Sequence, residues 1–270
     1  MKTYYFFFSF ILIALFTSCE KDVDVKLPAI KPKLVVSCVI YPQNPLTQVA
    51  VSMSTPIYNS NVSYAYNAIK GAIVILSDGS NHWTLPFDST HQTYALDSFQ
   101  LKINPNKAYT LSVNTPDGKS VEASTTVPSQ NTSLTYTTSY NNQKNITTIY
   151  GKWQDPTNTG DYYLLEGSQK INSTSTSGFY FDQVYITDAN NSGGTLSATL
   201  DLSYSTLDSV YISLSTTSAE FYNFFTRAKK GINTLSSDDL FSEPTPMYTN
   251  INGGLGIFAG FNQYKVKIVP

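Results

Sequence analysis

The chain is poor in charge and in the residues that most often carry catalysis. Charged residues make up 13% of its 270 positions, and there are only two cysteines and two histidines. Seventeen lysines and arginines stand against nineteen acids, for a net charge of −2, and no segment forms a basic stripe. Nucleic acid is therefore not an expected partner. There is no Gly-x-Ser-x-Gly elbow, His-Glu-x-x-His pair, phosphate loop or Cys-x-x-Cys. His82 and His91 are the only histidines available for acid–base work, and neither has a nucleophile motif beside it. A two-carboxylate hydrolase needs no fixed spacing, so nineteen acids always offer some pair and point to none. The expectation is a protein that is not an enzyme, with no catalytic residue, no metal ligand and no cofactor.

Long apolar runs are also missing, except at the very start. Lys2 is followed by an apolar and aromatic stretch from Tyr4 to Phe16, broken only by Ser9. A positive end and an apolar stretch of that length read as a secretory signal rather than a membrane span. Phe16-Thr17-Ser18-Cys19 then places small residues directly before a cysteine, which resembles the lipobox of bacterial lipoproteins. Phe16 departs from the usual leucine or valine. The resemblance implies that residues 1–18 are removed and that Cys19 becomes the lipid-bearing N-terminus, holding the protein to a membrane. Loss of Lys2 makes the remaining chain one unit more negative. Glu20-Lys21-Asp22-Val23-Asp24 cannot enter hydrocarbon, and Pro28 and Pro32 interrupt the following residues, so 19–32 reads as a tether. With Cys19 lipidated, Cys38 has no partner for an intramolecular disulfide. It alternates with Leu34, Val36 and Ile40 on one strand face, as a small buried hydrophobe would.

Polarity comes mostly from Ser, Thr, Asn and Tyr, and the dominant pattern is alternation. Tyr109, Leu111, Val113 and Thr115 alternate with polar residues. Thr115-Pro116-Asp117-Gly118 has turn chemistry, and Val121, Ala123, Thr125 and Val127 alternate on the return. Such strands have one dry and one wet face. Residues 72–76 are apolar on both faces and read as a central strand, turned by Asp78-Gly79 toward a strand over 82–87. About seven short strands without a helical pattern predict an immunoglobulin-like sandwich over 33–128. The Thr-, Ser- and Asn-rich residues from 129 open a second β domain, 129–270. Its expected strands are 146–153, 161–171, 179–187, 196–202 and 209–214, with closing strands at 257–261 and 264–268.

One helix interrupts the strands, at about 218–230. Thr217-Ser218-Ala219-Glu220 has the form of a capping box, and Phe221, Phe224, Phe225 and Ala228 share one face. Lys229 and Lys230 suit its last turn and Gly231 can close it. The aromatic stripe is expected to cover the second sheet, since a sheet's apolar face needs a second layer. The fold class is thus all-β: an immunoglobulin-like sandwich, then a second β region with one covering helix. In Asp155-Pro156-Thr157-Asn158-Thr159-Gly160-Asp161, oxygen-bearing side chains recur at three-residue steps, as in calcium loops. No EF-hand spacing is matched, and these are ordinary turn residues, so a turn is expected. Tyr58, Tyr64 and Tyr66 form a tyrosine-rich loop, the candidate binding loop for a glycan or protein.

Taken in order, several features resemble the lipoproteins of Bacteroidota collected as domain-of-unknown-function family 4249. They are Cys19 with Glu20 to Pro28, Lys33-Leu34-Val35-Val36, Ser77-Asp78-Gly79, Ser218-Ala219-Glu220-Phe221-Tyr222, and Asn250-Ile251-Asn252-Gly253-Gly254-Leu255-Gly256-Ile257-Phe258. The resemblance spans residues 19–270. It brings no catalytic residues. It implies an outer-membrane lipoprotein, on the periplasmic face or the cell surface, that is an accessory component of a TonB-dependent nutrient-uptake system with a TonB-dependent receptor as partner. A surface adhesin or glycan-binding module is the alternative.

Overall fold

A computed structural model describes residues 31–55, 67–144, 146–156, 160–170, 178–189, 193–203, 209–235 and 246–268. Cys19 and the loop carrying Tyr58, Tyr64 and Tyr66 lie outside these. The described residues from Pro32 onward belong to one folded unit.

Alternation builds the first half. β1 (Leu34–Ile40), β2 (Leu46–Met53), β5 (Phe87–Asp88) and β6 (Thr93–Asp97) lie in one sheet in the order β1-β2-β6-β5. Facing them are β3 (Ile73–Ser77), β4 (His82–Leu85), β7 (Lys107–Asn114) and β8 (Ser120–Val127), in the order β4-β3-β7-β8. With strands lettered in chain order, this is the ABED/CFG arrangement of an immunoglobulin-like sandwich, with one extra edge strand. Tyr109 is buried in β7, and its hydroxyl accepts the Asn104 amide at 2.8 Å. A strand tyrosine reaching back to upstream backbone is the tyrosine corner of such sandwiches. The β7–β8 hairpin turns at Pro116-Asp117, closed by Gly118 N to Thr115 O at 3.0 Å.

Two local expectations change. β3 is central in strand order, but Ile73 is 56% exposed, so only its Val74 and Leu76 face is dry. The strand expected over 82–87 is two strands in two sheets, because Pro86 has no amide to continue the ladder and the chain crosses there.

The second half adds β9 (Thr135–Asn141), β10 (Ile146–Gln154), β11 (Tyr162–Lys170), β12 (Gly178–Thr187), β13 (Thr195–Ser203), β14 (Ser209–Thr217), α1 (Ala219–Leu235) and β15 (Leu255–Ile268). β13-β10-β9 form a small sheet; the others join the first sandwich in one eight-stranded sheet, β12-β11-β14-β15-β1-β2-β6-β5. This sheet crosses the boundary expected at 128/129. The two expected closing strands are the single 14-residue β15. Its first part pairs in parallel with β1, from Val35↔Leu255 to Ile40↔Gly260. Its second part pairs antiparallel with β14, from Thr217↔Phe261 to Val210↔Ile268. On one face of β15, Phe258 enters the first core while Tyr264, Val266 and Ile268 meet the second, which is built on Trp153, Tyr163, Leu165, Leu200 and Ile212.

The opposite face carries Ile257, Ala259 and Phe261, and α1 covers it through Phe221, Phe224 and Phe225. The covering role expected of the stripe is thus observed, but both ends of the helix differ from expectation. Ser218 caps it: its Oγ accepts the Phe221 amide at 3.3 Å, while Thr217 Oγ1 is buried without a partner among the described residues. Glu220, rather than closing a capping box, accepts from Thr125 Oγ1 at 3.1 Å. Gly231 lies inside the helix, which runs on to Leu235. A lone glycine costs a helix only about 1 kcal/mol relative to alanine, and no proline follows to enforce a stop.

Candidate functional site

The strands of the second half set a carboxylate where an apolar side chain would be ordinary. β11 reads Tyr-Tyr-Leu-Leu-Glu-Gly. Pairing puts Glu166 beside Gln183 of β12 and Ser213 of β14. Glu166 is 7% exposed. Gln183 Nε2 donates to its Oε1 at 3.1 Å, and Gln263 Nε2 donates to its Oε2 at 3.3 Å and to Ser213 Oγ at 3.2 Å. Burial pushes the Glu166 carboxyl above its ordinary value, and the hydrogen bonds from Gln183, Ser213 and Gln263 pull it partly back.

Glu166 lines a cleft of about 210 Å³ between the sheet and α1. Aromatic rings supply much of the wall. Tyr41 stacks on Phe261 with ring centres 4.3 Å apart, and Phe221 lies 4.4 Å from Phe225. Tyr185 closes another side; burial, with the charge of Glu166, pushes its hydroxyl up to about 12. Ser215 also lines the cleft, and its buried Oγ has no partner among the described residues. A carboxylate, a spare hydroxyl and aromatic faces can hold a small group bearing hydroxyls or an amine by hydrogen bonding, stacking and cation–π attraction.

The residues raised by the sequence fall elsewhere. Cys19, Tyr58, Tyr64 and Tyr66 lie outside the described residues. His82 is exposed at the start of the edge strand β4, and His91 sits in the β5–β6 turn with Nδ1 2.5 Å from Asp88 Oδ2. Cys38 is buried against the first core, and burial pushes its thiol up to about 12, far from a reactive thiolate. Sequence reasoning does not find the cleft. Its one sequence signal is a charge directly after the apolar run Tyr162 to Leu165.

A family model described as "Domain of unknown function (DUF4249)" matches residues 20–267. The chain belongs to this family. The match takes in every strand up to Lys267, α1 and all residues lining the cleft. A search among curated proteins finds no match.

Glu166 makes the cleft testable without a ligand. The folded protein holds its proton more tightly than the unfolded chain does. Stability from this group is therefore greatest in acid and is lost as pH rises from the ordinary 4.5 through the raised value. Glu166→Gln is expected to match the parent in acid and to gain on it toward neutrality. Melting temperature measured across pH reads this directly; two parallel curves would contradict it.

Proposed function

We infer that the protein is a non-enzymatic lipoprotein of the outer membrane that captures a small ligand for a TonB-dependent uptake system. The observation that carries the binding role is the α1 cleft: a buried carboxylate and a spare serine hydroxyl among five aromatic rings. The anchor is the lipid on Cys19. Among the described residues no helix is long and apolar enough to cross a membrane. Two or more acyl chains hold a protein stably where one does so only marginally. The uptake role follows from the family resemblance.

A partner contact has a candidate in Phe99, which is 99% exposed. The turn holding it is fixed: Asp97 Oδ1 accepts the amides of Phe99 at 2.9 Å and Gln100 at 3.0 Å. An exposed aromatic on a backbone turn fixed in this way suits an interface anchor.

The test is purification of the tagged protein from detergent-solubilised membranes. The parent is expected to fractionate with membranes and to bring down a β-barrel receptor. Cys19→Ala is expected to become soluble, without the mobility of the lipidated form. Membrane retention of Cys19→Ala unchanged from the parent would remove the anchor. A preparation that never carries a receptor, yet scores in a glycan screen, would favour the adhesin or glycan-binding reading, to which the aromatic walls are also suited.

A further inference from the structure

Three aspartates meet at one end of the second sandwich. Asp155 follows β10, Asp161 precedes β11 and Asp188 follows β12. Each offers a carboxylate oxygen, and these oxygens lie within 4.8 Å of one another. Asp155 is 2% exposed and Asp188 1%. Their orientations are fixed by donors outside the trio. Tyr163 Oη donates to Asp155 Oδ1 at 2.6 Å, and the Gly193 amide to its Oδ2 at 2.9 Å. The Gly160 amide donates to both oxygens of Asp188, at 3.1 and 3.0 Å. Asp161 has no such donor among the described residues. Burial and the charges of Asp155 and Asp188 push its carboxyl up, and no cationic side chain among the described residues offsets them.

A second, independent feature points into the same place. Asp155, Asp161 and Tyr163 line an open cavity of about 350 Å³, and so does Thr216. Thr216 sits beside Tyr163 in the β11–β14 ladder and is 5% exposed. Its Oγ1 has no hydrogen-bond partner among the described residues. Buried hydroxyls are ordinarily satisfied, so an orphaned one on a residue of the cavity wall that also carries Asp155 and Asp161 has the arrangement of a ligand short of its ion.

We propose that Asp155, Asp161, Asp188 and Thr216 form a calcium site that ties the β10–β11 connection to the end of β12. The donors are all oxygen, which suits a hard cation and not zinc, which favours nitrogen and sulfur. Calcium accepts six to eight oxygens in irregular geometry, whereas magnesium demands a small regular octahedron. Carboxylates held on separate connections, with a hydroxyl and water completing the shell, fit the former. The site is independent of the α1 cleft and stands whether or not that cleft binds a ligand.

The experiment uses the full-length protein in detergent with terbium, then calcium, as probes. Tyr163 is hydrogen-bonded to Asp155, close enough to sensitise bound terbium. Excitation of tyrosine is expected to give terbium emission that calcium displaces. Calcium at about millimolar concentration, the range of extracellular modules, is expected to raise the melting temperature above that in chelator. Asp161→Asn removes a ligand without breaking a fold contact, and is expected to weaken calcium by at least about tenfold. In chelator the same variant should melt at or above the parent, because one of three crowded charges is gone. Thr216→Val keeps the volume, removes the orphan hydroxyl and should also weaken calcium. A parent that neither sensitises terbium nor melts higher with calcium would overturn the site. So would either variant binding calcium as tightly as the parent.

Discussion

Alanine at Gly256 is expected to lower the stability of the protein by well over about 2 kcal/mol, the scale of a strained backbone position combined with a steric clash. Gly256 has φ +112°, and a Cβ there would lie 1.9 Å from the Val36 carbonyl oxygen. That oxygen belongs to β1 at the point where β15 pairs with it, Val36↔Gly256. No rotamer relieves the contact, since the clash involves Cβ and backbone. β1 and β15 would have to separate where they join the two halves of the large sheet. Gly254 meets the same strand: a Cβ added there would lie 2.7 Å from the Leu34 oxygen, so Gly254→Val should also destabilise. Gly79 is the control: φ +85° with nothing within 4 Å of an added Cβ. Gly79→Ala should show strain alone, about 1–2 kcal/mol. Urea midpoints for the two alanine variants compare the effects. Equal losses would mean that close approach to β1 is unimportant, and would leave the glycine-rich run free to act as a receptor-contact loop.

Alternation makes the first sandwich legible because its strands each have one dry face: β8 is buried at every second residue from Val121 to Val127. The same logic fails in two places. β9 is missing from the strands expected in the second domain because six of its seven residues are exposed and no alternating apolar face marks it. β15 reads as two strands because Asn262 and Gln263 interrupt its apolar run. In the sheet both are satisfied: Asn262 Nδ2 donates to the Pro128 oxygen at 3.2 Å and Oδ1 accepts from Gln43 at 2.8 Å, while Gln263 donates to Glu166. Polar residues that look like a turn from the sequence are here the hydrogen-bonding seam between two sandwiches.

The candidate sites are less legible because register assembles them. Glu166 stands out within its own strand, but Gln183 and Gln263 reach it only through β11–β12 pairing and the β11–β14–β15 ladder. Spacing brings Asp155 and Asp161 to notice as a turn. Asp188 joins them because Tyr162↔Thr187 is the last pair of a hairpin whose length the sequence does not state. Hydroxyl satisfaction is likewise invisible before side chains are placed, so Thr216 and Ser215 give no signal.

The shared strand predicts how the molecule unfolds. Phe258→Ala is expected to lower stability by about 3–5 kcal/mol, as for other fully buried aromatic truncations. Phe258 is 0% exposed in the first core. The chain has two tryptophans: Trp83 packs against the first core, and Trp153 is buried in the second. A Trp83→Phe background therefore leaves Trp153 as a fluorescent reporter of the second core alone. If the eight-stranded sheet makes the halves one cooperative unit, Phe258→Ala in that background must move the Trp153 transition although the two residues lie in different cores. The physical route is β15, whose 14 residues pair with β1 at one end and β14 at the other. Loosening its first part removes the edge that holds its second part in register. A Trp153 transition that stays in place, with a separate early transition by circular dichroism, would mean that the halves unfold independently despite their common strand.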